Sequence, residues 1–400
     1  MVARNDKHFM HYVIIGGGIA GTTAAEELRK LDPSSEITIV SEEQHPIYSR
    51  VLLPHYIKGK IPRERVFLKK ENWYREQNID WMPGVLAVHL DTKNKFVTLS
   101  NGREIEYDKL LIATGGEPRM LFENSHNISY LRSLGDADNF LELLNSCENN
   151  CNGEVFGSGF IACEYINLFA HFNIPTRVSL RGEFFWSKIL EREPSEFVNQ
   201  HLKKNGITLR KNVSFSDSFV EEELKNKSSI FGIGIGIETD FSWLKESGIE
   251  IKFGIQANEF LETNIPNVYT AGDVAEFYDV IVGRHIRAGN WMSAMTQGRV
   301  VAQNMFGNKT VFELVSSYAT NILGLEVIFI GDVSKEASDE VRLFGSIKEG
   351  GITQLVGRKG RLVGAILLNR NSDRQIITDM IKNKVLLPEL VEGNKKSGNN

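Results

Sequence analysis

The chain has 400 residues, a length that predicts two or three domains because single hydrophobic cores stop growing at about 250 to 300 residues. Its net charge of −5 at pH 7 lacks the basic excess of nucleic-acid-binding proteins, so we expect small molecules and proteins as partners. No apolar run reaches the roughly 18 to 20 residues of a membrane span, and the first residues lack a signal-peptide core. We therefore predict a cytoplasmic protein.

A glycine-rich loop follows the first apolar run of the chain. Residues 12–15 (Tyr-Val-Ile-Ile) predict a buried strand, and residues 16–21 (Gly-Gly-Gly-Ile-Ala-Gly) join it to a helix predicted over 22–30. In such a strand–loop–helix unit the glycines let the backbone approach a pyrophosphate at the helix N-terminus. The sequence therefore predicts a dinucleotide site at Gly16, Gly18, Ala20 and Gly21.

Glu42 is the predicted partner of a ribose in this site. It follows a second β-rich run, residues 37–40, about 20 residues after the last glycine of the loop, where a carboxylate would accept the two ribose hydroxyls. The alternative is an ordinary acid in a solvated turn.

The sequence contains three cysteines, Cys147, Cys151 and Cys163, and no Cys-x-x-Cys pair. We therefore predict no zinc or iron–sulfur site and no metal ligands. Cys147 and Cys151 lie in a polar stretch, which we interpret as a loop with reduced thiols. We expect Cys163 to pack inside a helix.

Two later segments end in glycine turns. Residues 107–118 predict a buried strand that runs into the Gly115-Gly116 turn, which Pro118 makes rigid. Residues 264–274 predict a short strand that ends at Gly272 and Asp273 before another helix. The first turn could pass the chain between domains, and Asp273 could hold a sugar or ribitol hydroxyl.

A second glycine loop predicts a second dinucleotide. Residues 154–156 form a short predicted strand, and residues 157–162 (Gly-Ser-Gly-Phe-Ile-Ala) follow it, with alanine in place of the third glycine, which is an allowed variant. The predicted contacts are Gly157, Gly159, Phe160, Ile161 and Ala162.

The residues after the next predicted strand, 177–180, bear on the choice of nucleotide. Arg181 occupies the position that would hold an acid for NADH, and arginine there favours a 2′-phosphate. We therefore favour NADPH slightly over NADH. Glu183 would take the ribose role if the turn were one or two residues longer.

Together these segments resemble the flavoprotein pyridine nucleotide oxidoreductases over roughly residues 11–390. The resemblance implies an α/β protein with two Rossmann-like domains, an FAD domain and an inserted NAD(P) domain, followed by a small α+β C-terminal domain. The implied boundaries are 1–118 and 256–314 for FAD, 119–255 for NAD(P), 315–390 for the C-terminal domain and 391–400 for a disordered tail. It implies FAD contacts at Ala87, Ala113, Thr114, Gly115, Gly272 and Asp273.

The subgroup follows from residues 44–55, which contain no cysteine where disulfide reductases of this family carry their redox thiols. The chain looks like the rubredoxin, ferredoxin and assimilatory nitrite reductase flavoproteins, in which Arg50 would lie near the isoalloxazine. Residues 287–299 resemble a run of the same reductases that places Trp291 and Ala294 on one helix face at the flavin. For Arg50 the alternative is a surface arginine, and for Trp291 it is plain core packing.

Three further features complete the resemblance. Glu164 matches a glutamate that orients the nicotinamide beside the flavin, with an ordinary helix-surface glutamate as the alternative. Gly236 belongs to a run, residues 230–240, that should end in Pro-Asn but has Thr239 and Asp240 instead, and residues 212–229 are short for this domain. Nicotinamide binding is thus less strongly indicated than FAD binding. Strands at 325–332, 352–356 and 361–368 and a helix at 375–383 are predicted for the C-terminal domain.

The implied reaction is hydride transfer from nicotinamide C4 to flavin N5, followed by electron release to an external carrier protein such as a rubredoxin, a ferredoxin or a nitrite reductase partner. An acidic carrier could dock on a basic run, although such a run is more commonly a solvated face. The run consists of Lys58, Lys60, Arg63, Arg65, Lys69 and Lys70. The alternatives are an oxidase that reduces dioxygen and a non-catalytic flavin-bound interaction module. The sequence leaves the oligomeric state open.

Overall fold

The computed structural model describes residues 9–121, 127–147, 151–216, 228–335 and 338–387. The predicted disordered tail and most of residues 212–229 lie outside these ranges. The chain divides into two compact units. The first contains residues up to 120, 132–141 and 236–314, and the second contains 121–131, 142–235 and the residues from 315 onward.

The strands and helices alternate through most of the chain. The strands are β1 (His11–Ile15), β2 (Glu36–Ser41), β3 (Asp80–Pro83), β4 (Ala87–Asp91), β5 (Phe96–Leu99), β6 (Glu104–Glu106), β7 (Lys109–Ile112), β8 (Glu117–Pro118), β9 (Ile128–Ser129), β10 (Asn152–Phe156), β11 (Thr176–Ser179), β12 (Thr208–Arg210), β13 (Ser229–Ile233), β14 (Ile237–Glu238), β15 (Ile255–Ala257), β16 (Val268–Thr270), β17 (Ala275–Asp279), β18 (Arg284–Ile286), β19 (Ser317–Ile322), β20 (Leu325–Gly331), β21 (Glu340–Ser346), β22 (Gly351–Arg358) and β23 (Arg361–Leu368). The helices are α1 (Ile19–Leu31), α2 (Leu53–Ile57), α3 (Glu71–Glu76), α4 (Leu134–Ser146), α5 (Phe160–His171), α6 (Arg192–Lys204), α7 (Trp291–Phe306) and α8 (Arg374–Lys382). Short 3₁₀ helices span Arg50–Leu52, Arg63–Val66, Ser242–Leu244 and Asn371–Asp373.

The first unit is built on a parallel five-stranded sheet with the order β16-β7-β1-β2-β3. Its central strand is apolar on both faces, as expected for a parallel sheet covered on two sides. Tyr12 and Ile14 pack with residues of α1, α3 and α7, whereas Val13 and Ile15 pack with the antiparallel sheet β4-β5-β6. This is the fold that the first glycine loop predicted.

Helices α1 and α7 pack closely because small residues face each other. A Cβ atom added to Gly298 of α7 would lie 2.4 Å from the carbonyl oxygen of Ala20, so only glycine fits at this crossing. The close approach holds the N-terminus of α1 beside α7. Two hydrogen bonds from the Asn304 side-chain amide of α7, to the carbonyl oxygens of Phe260 and Thr310, attach the far end of α7 to the same unit.

The second unit contains a parallel sheet with the order β12-β11-β10-β13-β9. Helix α5 covers it with two aromatic rings, and glycines in the strands make room for them. A Cβ atom on Gly232 would lie 2.4 Å from the ring of Tyr165, and one on Gly153 would lie 2.5 Å from the ring of Phe169. The Tyr165 hydroxyl is satisfied by the Ser129 hydroxyl at 2.8 Å.

The second unit also contains an antiparallel sheet with the order β19-β20-β23-β22-β21. The three strands predicted there are β20, β22 and β23, which are its buried centre, and the predicted helix is α8. The sequence analysis missed the two edge strands, β19 and β21. Both are only half-buried, with polar residues among their apolar ones, so they lack the apolar runs that identify the central strands.

The interpretation of Cys147 and Cys151 as reduced thiols is wrong for this structure, in which they form a disulfide. Cys147 directly follows helix α4 and Cys151 directly precedes β10, and their Cα atoms lie 5.7 Å apart, a normal separation for a disulfide. Cys163 is free and buried in α5, as expected.

The two units divide the chain differently from the predicted domains. Residues 132–141 and 236–255, which we expected in the NAD(P) domain, belong to the first unit, and the C-terminal sheet shares a unit with the second glycine loop. An ion pair ties residues 132–141 to the first unit, because Arg132 pairs with Asp273 at 3.5 Å. A strand pairing ties residues 236–255 to it, because β14 pairs with β8.

In the part of the chain that the structure describes, we find no helix that combines the length and the apolar character needed to cross a lipid bilayer.

Replacing Gly298 with alanine is expected to lower the free energy of unfolding by about 1–3 kcal/mol, because the new methyl group would push α1 and α7 apart. The midpoint of urea unfolding, followed by circular dichroism, measures the change. Gly135→Ala in α4 is the control. Its Cβ atom would have Ser133 Oγ as the nearest atom at 3.7 Å, so the substitution is expected to be neutral or slightly stabilising. Equal midpoints for the two variants would contradict this account of the helix crossing.

Candidate functional site

The first glycine loop leaves room for a ligand at the N-terminus of α1. Gly16 has a φ of +116°, and a Cβ atom there would lie 2.2 Å from the carbonyl oxygen of Ala113. A Cβ atom on Gly18 would meet no atom within 4 Å, and no side chain caps the helix at this residue. The first N–H groups of α1 therefore face open space, an arrangement that suits a pyrophosphate. Ala20 and Gly21 are buried in the first turn of α1.

Glu42 lies directly after β2 and is exposed, which agrees with the position predicted for a ribose ligand. Its neighbour Glu43, which the sequence analysis did not single out, binds other side chains. The Glu43 carboxylate accepts hydrogen bonds from the Tyr48 hydroxyl and from Arg50 Nη2, the latter at 2.5 Å. Tyr48 in turn accepts the backbone N–H of Leu134 at 3.1 Å.

Arg50 is therefore a fixed, partly buried cation and not a mobile surface arginine. Burial opposes its charge, but the Glu43 carboxylate, together with Tyr48, Glu117 and Asp273, outweighs this effect and raises the pKa of Arg50. Burial also raises the pKa of Tyr48, so its hydroxyl remains a donor to Glu43 at any physiological pH. Nη1 of Arg50 is buried and has no hydrogen-bond partner among the described residues.

Arg132 is the site residue that the sequence analysis missed. Its guanidinium lies 3.5 Å from the Asp273 carboxylate, and its Nη2 would lie 3.2 Å from a Cβ atom on Gly115. Burial and then the like charge of Arg50 lower the pKa of Arg132. Its Nε atom is buried and unpartnered within the described ranges. Arg132 thus lies beside two predicted turns, at Gly115 and at Asp273, and close enough to Arg50 for the two charges to repel each other.

The N-terminus of α7 faces the same region. Asn290 caps the helix by accepting the N–H of Ser293 at 2.9 Å, and Gln297 accepts the N–H of Gly272 at 2.7 Å. Trp291 is the half-buried first residue of α7, and Ala294 is buried one turn later. A Cβ atom on Gly272 would lie 4.0 Å from Cβ of Ala294.

The structure brings most of the predicted residues of the first unit together. The first loop, the Ala113-Thr114-Gly115 turn, Asp273 and the start of α7 are linked by the contacts above. Ala87 is the exception. It begins β4 and packs with Val13 and Ile15, on the sheet face away from α1.

The second glycine loop repeats the geometry of the first. Gly157 has a φ of +121°, and a Cβ atom there would lie 2.2 Å from the carbonyl oxygen of Gly234. Gly159 precedes α5 without a side-chain cap, and Phe160 and Ile161 begin the helix. Ala162 is fully buried and Glu164 is half-buried in the next turn. Gly236, with a φ of +110°, follows β13.

Arg181 is exposed two residues after the end of β11, and its guanidinium lies over the ring of Phe215, 5.1 Å from the ring centre. Glu183 is also exposed. Arg181 and Glu183 are therefore both accessible just after β11, and either could contact the ribose of a bound nucleotide.

Two residues of the basic run 58–70 are engaged in ion pairs. Arg63 binds the Asp138 carboxylate, with Nη2 to Oδ2 at 2.8 Å, and Lys69 binds Glu26 at 3.1 Å. Lys60, Arg65 and Lys70 are exposed.

Among the described residues, no group of three or more His, Cys, Asp or Glu side chains is placed to hold a metal ion.

Comparisons with known proteins agree with this geometry. A model of the pyridine nucleotide-disulphide oxidoreductase family matches residues 10–298. The NADH-rubredoxin oxidoreductase of Clostridium acetobutylicum is 28% identical over 333 residues, which is 82% of this chain and 83% of that protein.

Two further relatives are similar over nearly all of the chain. The nitrite reductase (NAD(P)H) of Bacillus subtilis is 28% identical over 393 residues, 94% of this chain but only 48% of that protein, so the chain spans about half of that relative. The crystal structure of a covalent putidaredoxin reductase–putidaredoxin complex contains a chain with the same fold, at a TM-score of 0.81 and 23% identity, with 93% of both chains covered.

Replacing Arg63 with glutamine is expected to destabilise the protein at pH 7, by at most about 1 kcal/mol because the ion pair is partly exposed, and progressively less below about pH 4. Burial would raise the pKa of Asp138, but hydrogen bonds from Arg63 and Tyr56 outweigh it and hold the pKa below its ordinary value. A carboxyl with a lowered pKa stabilises the fold above its unfolded pKa, and the stabilisation disappears as the pH falls through its folded pKa. Urea midpoints from pH 7 to pH 3 measure this, with the exposed Arg65→Gln as control. A difference between wild type and Arg63→Gln that does not change with pH would contradict the assignment.

Proposed function

The chain belongs to the pyridine nucleotide-disulphide oxidoreductase family, and we propose that it is an FAD-dependent reductase that oxidises NAD(P)H and passes the electrons to a small redox carrier protein. The observation that carries the proposal is the repeated loop geometry. Gly16 and Gly157 have nearly the same φ, and each would place a Cβ atom 2.2 Å from the carbonyl oxygen of the residue that directly follows a neighbouring strand. Two loops of this kind suit two dinucleotides in one chain.

We assign FAD to the loop of the first unit, in the predicted FAD domain of residues 1–118 and 256–314. The buried and unpartnered Nη1 of Arg50 and Nε of Arg132 support this assignment, because an unsatisfied buried donor costs about 1–3 kcal/mol unless a ligand accepts its hydrogen bond. The residues that would hold FAD are Gly16, Gly18, Ala20, Gly21, Glu42, Arg50, Ala113, Thr114, Gly115, Arg132, Gly272, Asp273, Trp291 and Ala294. Ala87 keeps its place only through the family resemblance, since its side chain packs away from the loop.

FAD, when bound, supplies the capacity to accept a hydride and to release electrons one at a time. The protein supplies position and charge. Arg132 places a positive charge beside the Gly115 turn, Arg50 adds a second one close to Arg132, and the N-terminus of α7, at Trp291, adds a partial positive charge. All three favour negative charge in the site. Asp273, paired with Arg132, can accept a hydroxyl hydrogen bond from a ribitol chain.

We assign the nicotinamide nucleotide to the second loop, in the predicted NAD(P) domain of residues 119–255. Its contacts would come from Gly157, Gly159, Phe160, Ile161, Ala162 and Arg181, with Glu164 orienting the nicotinamide. Gly236 belongs to the first unit and stays a prediction from the resemblance alone. Arg181 at the end of β11 favours NADPH, because a guanidinium can bind a 2′-phosphate with two parallel hydrogen bonds. Glu183 is the alternative ligand, which would favour NADH.

We propose a small redox carrier protein as the electron acceptor. Residues 44–55 contain no thiol that could store the electrons, and two of the relatives are named for a rubredoxin or crystallised with a putidaredoxin. The surface next to Arg50 suits a small acidic partner. Val51 and Leu68 are 59% and 44% exposed, and the exposed Lys60, Arg65 and Lys70 belong to the same stretch of the chain, residues 51–70. Arg63 and Lys69, already paired, are removed from the predicted docking set.

Reduction of the purified yellow protein under argon tests the function. We expect NADPH, and NADH more weakly, to bleach the visible flavin absorbance, and an added rubredoxin or ferredoxin to restore it. Absence of bleaching by either nucleotide would overturn the reductase and favour a non-catalytic module. Rapid consumption of NADPH in air without a carrier would favour an oxidase.

A matched pair of variants tests the assignment of FAD in the same preparation. Arg132→Gln is expected to weaken FAD retention about tenfold or more, measured by fluorescence of released flavin during dialysis, because one charge-assisted contact is lost. Arg103→Gln, an exposed arginine of the same unit, is expected to retain FAD as the wild type does. Equal retention by both variants would remove Arg132 from the site.

Charge reversal tests the docking surface. The double variant Lys60→Glu and Lys70→Glu is expected to raise the KM for an acidic carrier about tenfold at low salt, with a smaller effect at high salt, because surface charges steer association and are screened by ions. The KM for NADPH should not change. The control, Lys382→Glu and Lys384→Glu, reverses two exposed charges in the second unit. A carrier KM that changes equally in both double variants would place the docking surface elsewhere.

A further inference from the structure

Two segments of the second unit run side by side just beyond the ends of β11 and β12. The N–H of Leu180 donates to the carbonyl oxygen of Arg210 at 2.8 Å, and the N–H of Val213 donates to that of Leu180 at 2.9 Å. Asn212, with a φ of +55°, turns the second segment, and its N–H reaches the carbonyl oxygen of Gly182 at 3.1 Å. These bonds fix the two segments relative to each other.

Each segment places a cation over an aromatic ring of the other. Arg181, on the first segment, lies 5.1 Å from the ring centre of Phe215 on the second. Lys211, on the second segment, has its Nζ 5.0 Å from the ring centre of Phe184 on the first. Both distances lie within the range of favourable cation–π contacts. The reciprocal arrangement restricts two long side chains that would otherwise be free to move in solvent.

A cation–π contact orients a cation without using its hydrogen-bond donors. Arg181 and Lys211 are exposed, and neither forms a hydrogen bond or ion pair with another side chain in the described ranges. Lysine carries three donors and arginine five. Both side chains are therefore oriented in advance and keep the groups needed to bind an anion.

This pair lies at the edge of the second glycine loop. The N–H of Gly157 donates to the carbonyl oxygen of Ser179, the last residue of β11, at 3.2 Å. The ring of Phe215 contacts that of Phe156, the residue before Gly157, with ring centres 5.2 Å apart. In a dinucleotide-binding fold the 2′-position of the adenosine ribose lies at the end of this second strand.

We propose that Lys211 and Arg181 together bind the 2′-phosphate of NADPH, and that Phe184 and Phe215 are positioning residues for them. The inference rests on the proposed function of the second loop. It adds Lys211, which directly follows β12, to the predicted nucleotide site. A 2′-phosphate carries close to two negative charges at neutral pH, and two cations match it better than one. Glu183, exposed on the first segment, would oppose the phosphate, so the second cation also offsets a nearby acid.

Binding of 2′,5′-ADP and 5′-AMP to the purified FAD-loaded protein, measured by titration calorimetry, tests the proposal without turnover. We expect 2′,5′-ADP to bind wild type at least tenfold more tightly than 5′-AMP. Lys211→Gln should weaken 2′,5′-ADP about tenfold and leave 5′-AMP within twofold, and Lys211→Arg should restore most of the loss because it keeps the charge. Phe184→Leu should give a smaller loss, since the charge remains but its orientation is less restricted.

Lys203→Gln is the control, because it removes an exposed lysine from the last turn of α6 in the same unit. We expect it to bind both nucleotides as wild type does. Equal affinity of the Lys211→Gln and Lys203→Gln variants for 2′,5′-ADP would overturn the proposal, as would tighter binding of 5′-AMP by the wild type. Either result leaves the proposed reductase intact if NADH still bleaches the flavin, whereas failure of both nucleotides to reduce the protein would remove the proposed function itself.

Discussion

The first glycine of each loop is the position on which the rest of the structure depends. At Gly16 and Gly157 the chain leaves a parallel strand with φ above +110° and then enters a helix. On the way it passes close to a carbonyl oxygen, that of Ala113 in the first loop and that of Gly234 in the second. A side chain at either position would collide with backbone, not with a flexible neighbour, so no local rearrangement could accommodate it. The hydrogen bond from Gly16 to Val40 and that from Gly157 to Ser179 then fix where each helix begins. The open space at each helix N-terminus follows from these contacts.

The elements that the sequence predicted correctly are those with local signals. Both glycine loops, the central strands of the three five-stranded sheets and helix α8 are recognisable from spacing and apolar runs alone. Arg132 carries no such signal. It precedes α4 in a segment without a motif, and only the folded chain brings its guanidinium beside Asp273, which lies 141 residues later in the sequence.

The partnership of Glu43 with Arg50 was missed for a related reason. Adjacent acids at 42 and 43 look alike in sequence, and the turn after β2 decides which one faces Arg50.

The two arginines of the first unit differ in how their charge is maintained. Arg50 has the Glu43 carboxylate at 2.5 Å, whereas Arg132 has the more distant Asp273 at 3.5 Å and the like charge of Arg50 nearby. Three carboxylates, those of Glu43, Asp273 and Glu117, act on the two guanidiniums, but the charge of Arg50 still opposes that of Arg132. An anionic ligand, or one that becomes more negative on reduction, would relieve this repulsion. The same residues can therefore favour both binding of a dinucleotide and its reduced form.

In the second unit, helix α5 packs against two sheets at once, which gives the C-terminal sheet a structural role. Tyr165 and Phe169 pack α5 onto the parallel sheet, while Phe160 at its first residue contacts the rings of Tyr318 and Phe329, 4.9 and 5.0 Å away. Asn167 extends the attachment by bonding to both the carbonyl oxygen of Asn321 and the N–H of Leu323.

The N-terminus of α5 is the end at which we propose that the pyrophosphate binds, so the ring cluster around Phe160 supports the helix where a displacement would matter most. Trp186 adds a further ring to this cluster, 5.2 Å from Phe329, from the same connection that carries Arg181 and Phe184. The C-terminal sheet therefore supports both the start of α5, at which we propose that the nucleotide binds, and the segment beyond β11. A weakened contact there would loosen nucleotide binding without touching a residue that contacts the nucleotide.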